Sequence, residues 1–198
     1  MPGQFLRVPI GDSEMDYEPP KELLTTVQNR FRQQNRDYCL PYCIAGCLQY
    51  MGHHMQALEF ARSAGGWTGL PGNYVLTKVR EKMMKVLPQI AQPLVYNRPK
   101  RRTRKVTRMT SDNLVTFPDP YMTLVHPIGN DGSCDHAICV VDDLIFDARL
   151  DVALKLCKES LDWVCGKQGM DSLGEVFCFR NPFGVKPVRV ERQMKTNW

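Results

Sequence analysis

The chain has 198 residues, 43% of them hydrophobic, and a formal net charge of +5. That length suits one domain with a core of its own, without disulfide or metal staples. No run of about 18 apolar residues argues for a membrane span, and Met1-Pro2-Gly3-Gln4-Phe5-Leu6-Arg7 lacks the apolar heart of a signal peptide, so the expected setting is reducing and intracellular, cytoplasmic or nuclear.

Residues 1–20 read as a mobile acidic arm, with Asp12, Glu14, Asp16 and Glu18 ahead of Pro19-Pro20. Lys21 to Arg32 carries Leu23, Leu24, Val27 and Phe31 at helical spacing, which predicts a helix. A polar stretch follows, containing Gln33, Gln34, Asn35 and Asp37. The next helix is predicted from about Cys39 to Met51. Asp37 is a candidate cap, Pro41 falls in the tolerated first turn, and Gly52 is the stop.

A third helix is predicted over about Met55 to Ser63, then a glycine-rich loop at 67–72. A fourth helix is predicted from Asn73 to about Val86. The segment from 98 to 108 holds Arg98, Lys100, Arg101, Arg102, Arg104, Lys105 and Arg108 and no acid. The positive net charge is therefore local to this basic insertion, and the rest of the chain is slightly acidic.

Tyr121 to His126 predicts a strand. His136 to Val141 and Leu144 to Asp147 predict a hairpin turning at Asp142-Asp143. Asp151 is read as the cap of a helix reaching Cys165, and Glu175 to Arg180 as a last strand. Helices first and strands later imply an α+β fold, not alternating βαβ units. The predicted layout is a single domain over 21–182, with the arm before it and a tail at 183–198.

A two-residue turn at 142 and 143 sets Val141 opposite Leu144 and Ile138 opposite Asp147. His136 and Asp147 then share one face as diagonal neighbours, and Cys139 points to the other. Both faces of this hairpin are otherwise apolar, so a His and an Asp at its open end need a reason. They could simply satisfy each other as a buried pair. Alternatively they serve a nucleophile, and Cys39 at the start of a buried helix is the candidate. A helix N-terminus favours a thiolate. In that arrangement His136 is the base, Asp147 orients it, and the backbone N–H of Cys39 with an upstream side-chain amide stabilises an oxyanion.

Gln33 lies six residues before Cys39, and Tyr50 and Gly52 lie eleven and thirteen after it. With His136-Ala-Ile-Cys-Val-Val and then Asp147 beyond an apolar strand, this pattern resembles papain-like cysteine peptidases. It is most similar to their bacteriocin-leader-processing branch. The resemblance implies a papain-like α+β fold and a thiol hydrolase acting on a peptide or isopeptide bond of a polypeptide substrate. It assigns Gln33, Cys39, His136 and Asp147 to the oxyanion, nucleophile, base and orienting roles, with no cofactor. Leu40 stands where that branch often has glycine, and residues 53–133 match nothing in it.

Cys43 and Cys47 recur on the same helix face and read as packing residues. A zinc site from Cys134, His136 and Cys139 has no familiar structural spacing, and strand parity parts Cys139 from His136. The basic segment reads as a solvated loop, a nuclear-import signal or a contact for nucleic acid or an acidic partner. The alternative to an enzyme is thus an inactive papain-like module that binds through residues 98–108.

Overall fold

The computed structural model describes residues 18–32, 39–63, 78–79, 81–85, 87, 94–96, 109–116, 122–126, 136–164, 173 and 175–179. The acidic residues of the arm up to Asp16, the amides at 33–35, the Asp37 and Asn73 caps, the loop at 67–72, the basic segment and the tail lie outside them.

Among the described residues seven strands form one antiparallel sheet: β1 (Leu24–Gln28), β2 (Leu94–Tyr96), β3 (Met122–His126), β4 (Ile138–Val141), β5 (Leu144–Asp147), β6 (Val152–Lys155) and β7 (Glu175–Phe179). Their order across the sheet is β1-β6-β5-β4-β3-β7-β2. Around it lie α1 (Cys39–Tyr50), α2 (His54–Arg62), α3 (Ser111–Val115) and α4 (Lys158–Val164), with further helical residues at 78–79 and 81–85. The class is α+β, as the order of elements in the sequence suggests.

The sheet is covered on both faces. Cys43, Ile44, Cys47 and Leu48 of α1 pack with Phe60 of α2, Met83, Cys139, Val141 and Phe146 on one side. Ile138, Val140, Ile145 and Leu154 pack with Leu114, Leu161 and Val164 on the other. Strand parity produces this division. Alternate residues of β4 and β5 enter opposite cores, which is why these two strands are apolar on both faces up to Asp147.

Two predicted helices are corrected. Lys21–Leu23 is a single 3-10 turn, and the chain then extends as β1. Leu24 packs against one core and Val27 against the other, so the side chains follow a two-sided strand, not one helix face. Thr25, Thr26 and Val27 favour that extended form. The Thr25 hydroxyl also donates to the Ala153 carbonyl at 2.7 Å.

The helix expected from Asp151 is the second correction. Residues 152–155 instead form β6, between β1 and β5, and α4 begins only at Lys158. Ala153 and Leu154 again point to opposite cores. The sequence reading also omits β2 and α3. The Thr110 side chain accepts the Asn113 N–H at the start of α3.

The central hairpin keeps its predicted register. Val141 pairs with Leu144, Val140 with Ile145 and Ile138 with Asp147. Asp142 takes a φ of 53° at the turn, a left-handed conformation that aspartate tolerates better than most residues. The helix α1 ends where expected, at Gly52 with φ 87°.

Inside α1, Gly46 marks a close approach. A β-carbon there would lie 2.7 Å from Asn29 Oδ1 and 3.0 Å from Phe146 Cδ1. Alanine normally improves a helix interior by about 1 kcal/mol over glycine. Here that gain is smaller than the cost of overpacking, about 1–3 kcal/mol. Gly46→Ala is therefore expected to destabilise the protein. A urea unfolding midpoint that rises would contradict this packing.

Candidate active site

The site forms where the N-terminus of α1 meets the open end of the β4–β5 hairpin. Tyr50, at the far end of α1, donates its hydroxyl to Asp142 Oδ2 at 3.3 Å, and its ring lies 5.8 Å from that of Phe146. The helix is thus fixed at the turn. From Tyr50 back to Cys39 is about 16 Å at 1.5 Å per residue. From Asp142 back to His136 is about 20 Å at strand spacing. Two elements of matched length, pinned at one end, bring Cys39 to His136 at the other.

His136 precedes β4 and Asp147 ends β5. Imidazole Nε2 lies 3.1 Å from Asp147 Oδ2, with the histidine side chain 14% exposed and the aspartate 0%. Cys39 acts on the same ring, and its hydrogen bonding and charge help to raise the imidazole pKa. Cys39 is partly exposed and begins the helix. The N–H groups of a first helical turn have no intrahelical partner, so they favour a nearby anion. Cys39, His136 and Asp147 are therefore brought together as the sequence suggests, while Gln33 lies outside the described residues.

Burial alone would lower the His136 pKa. The charge of Asp147, hydrogen bonding to Asp147, and the hydrogen bond and charge of Cys39 outweigh it and raise the imidazole from 6.5 to about 10. The other thiols of α1 differ. Cys43 and Cys47 are completely buried, and burial pushes their pKa values up. Cys139 is also raised by burial, and its Sγ lies 3.4 Å from that of Cys43. These protonated thiols pack the helix against the sheet, as the parity of Cys139 implies. Among the described residues no group of three or more His, Cys, Asp or Glu is placed to hold a metal.

Two residues at the site escape a reading of the sequence. Arg149 grips Asp147 with its side chain and its backbone. Its Nε lies 3.0 Å from Oδ1 and 3.1 Å from Oδ2, its Nη2 2.6 Å from Oδ2, and its N–H donates to Oδ1 at 2.9 Å. The only sequence signal is an aspartate two residues before a charged fork, a spacing at which the carboxylate can accept the backbone N–H. Asn29 follows β1 and is 4% exposed. Its Nδ2 donates to the carbonyls of Asp147 at 3.0 Å and Leu150 at 3.1 Å. It therefore fixes the backbone at Asp147 while resting against Gly46 of α1.

No protein-family model matches the chain, and no curated protein or solved structure matches it. Among the described residues no helix is long and apolar enough to cross a membrane. His54 is exposed and His53 half-buried, with burial and the neighbouring His54 lowering the His53 pKa. Neither lies at this site.

The His136 shift has a consequence for stability. Its pKa is raised in the folded state, so its contribution is fully present below pH 6.5 and lost as pH rises toward about 10. Urea unfolding of the wild type should weaken across that window more than that of His136→Gln. Parallel pH dependence in the two proteins would contradict the pairing.

Proposed function

We propose that this chain is a thiol hydrolase of papain-like architecture that cleaves a peptide or isopeptide bond. The observation that carries the reading is the convergence of Cys39, His136 and Asp147 at one end of the sheet. Further support comes from the order Gln33, Cys39, His136, Asp147 along the chain, with the helix that carries Cys39 ahead of the β4–β5 hairpin.

The chemistry follows from those groups. His136 takes the Cys39 proton, giving a thiolate–imidazolium pair. Sγ attacks the scissile carbonyl carbon, a C–S bond forms, and the Cys39 N–H stabilises the oxyanion, with the Gln33 amide as the second donor that the papain-like resemblance implies. The intermediate collapses, the C–N bond breaks, and the imidazolium gives its proton to the leaving amine. Water, deprotonated by His136, then attacks the thioester. The acid leaves and the proton returns to Cys39. Asp147 keeps the imidazole oriented throughout.

Cys43, Cys47 and Cys139 are protonated and enclosed, so they serve as internal controls. Iodoacetamide at neutral pH should alkylate Cys39 ahead of the other seven thiols, read by peptide mass spectrometry. His136→Ala should slow that labelling by about 10²-fold, in the range of a lost acid–base partner. If all eight thiols label alike, or only in denaturant, the hydrolase reading fails and the inactive binding module takes its place.

A further inference from the structure

Asp147 is an awkward orienting acid. Its side chain is completely buried, and a carboxylate in that setting is costly unless several partners compensate it. One imidazole does not satisfy two carboxylate oxygens. Arg149 supplies the remainder. Its guanidinium lies along both oxygens, its backbone N–H closes on Oδ1, and its Nη2 also reaches the Val164 carbonyl of α4 at 3.4 Å. Oδ2 is shared, 2.6 Å from Arg149 and 3.1 Å from His136.

We propose that Arg149 is a positioning residue of the proposed thiol hydrolase, acting through Asp147 to hold the acid in place and to temper its charge so that His136 can release a proton. The inference rests on the assignment of Cys39, His136 and Asp147 as the reacting set. An orienting carboxylate with no counter-charge would fix its proton on the imidazole, which would then be a poor donor to the leaving amine. A carboxylate with a permanent cation across both oxygens still orients the ring while pulling less on the proton. The arginine is 27% exposed, so solvent partly stabilises its charge and it stays cationic throughout.

The charged and titratable groups facing the pair are few. From α1 they are Cys39, which contacts His136, and Cys43, which senses the Asp147 charge. From the turn after β5 there is Arg149. Cys139 of β4 also senses Cys39, but it is enclosed, and burial keeps it protonated. Among the described groups facing the pair, Arg149 is thus the one fixed positive charge, and its removal should move both ionisations of the Cys39–His136 couple in one direction.

The test is the rate of Cys39 alkylation by iodoacetamide from pH 4 to 10 in the full chain. In the wild type the rate should rise through an acid limb to a plateau. Arg149→Met removes the cation, and that limb should move up by about one pH unit, so that labelling at the wild-type acid midpoint falls several-fold. Arg149→Lys keeps the charge without the fork. It should retain the wild-type limb while labelling more slowly on the plateau.

A residue that merely stabilised the fold would lower the thermal midpoint in both variants and leave the acid limb unmoved, and that result overturns the proposal. If Arg149→Met does not fold, Arg149→Lys and Arg149→Gln decide. Acid limbs that coincide between those two variants overturn it, and a limb higher in Arg149→Gln supports it. Failure of the underlying assignment looks different. Wild-type Cys39 would then show no selective labelling at any pH, which removes the basis for both readings.

Discussion

The structure turns on one buried carboxylate. Asp147 ends β5 with no exposed side-chain surface, and a charge so placed must be compensated from several directions at once. Arg149 compensates it from the following turn and His136 from the neighbouring strand's entrance. Asn29 holds the same residue's backbone carbonyl. Asn29 in turn rests against Gly46. One residue thereby ties the exit of β1, the end of β5, the start of β4 and the middle of α1 into one unit. Removing any of these partners would leave a desolvated polar group behind, which costs more than the bond itself contributed.

The helix that carries Cys39 is placed by a second constraint, geometric this time. Its C-terminal end is anchored to the hairpin turn through Tyr50 and Asp142, and its apolar stripe lies against Cys139, Val141 and Phe146. The helix and the hairpin strand are of similar length, so the anchored turn at one end sets the thiol–imidazole contact at the other. Three cysteines on one helix then divide by depth. Cys43 and Cys47 are enclosed and held protonated by burial, while Cys39 at the first position keeps access to solvent. A substrate would meet only the last of these.

Much of this was legible in the sequence because strand parity is a strict rule. Counting back from the Asp142-Asp143 turn sets Ile138 opposite Asp147, and the structure has that pair. The same count separates Cys139 from the site. The helix from Cys39 to Gly52 was legible through its stripe, its early proline and its glycine stop.

The misses have physical causes as well. Leu23, Leu24, Val27 and Phe31 fit helical spacing by number, yet Leu24 and Val27 lie in a two-sided edge strand and enter different cores, with Leu23 in the turn before it and Phe31 beyond its end. Asp151 looks like a cap, but Val152–Lys155 complete the sheet between β5 and β1 before any helix begins. Asn29 could not be found from spacing, and the two-residue step from Asp147 is a weak signal for Arg149. Their importance comes from partners more than a hundred residues away for Asn29, and from the depth of Asp147 for Arg149, neither of which is written locally.

The coupling of Cys39, His136 and Asp147 is read most directly by NMR titration of the His136 imidazole in the wild type and in Cys39→Ser. His136 should stay protonated well above its ordinary range in the wild type, and its midpoint should fall when the thiol is replaced, since Cys39 is one of the groups that raise it. A midpoint near 6.5 in both proteins would contradict that coupling.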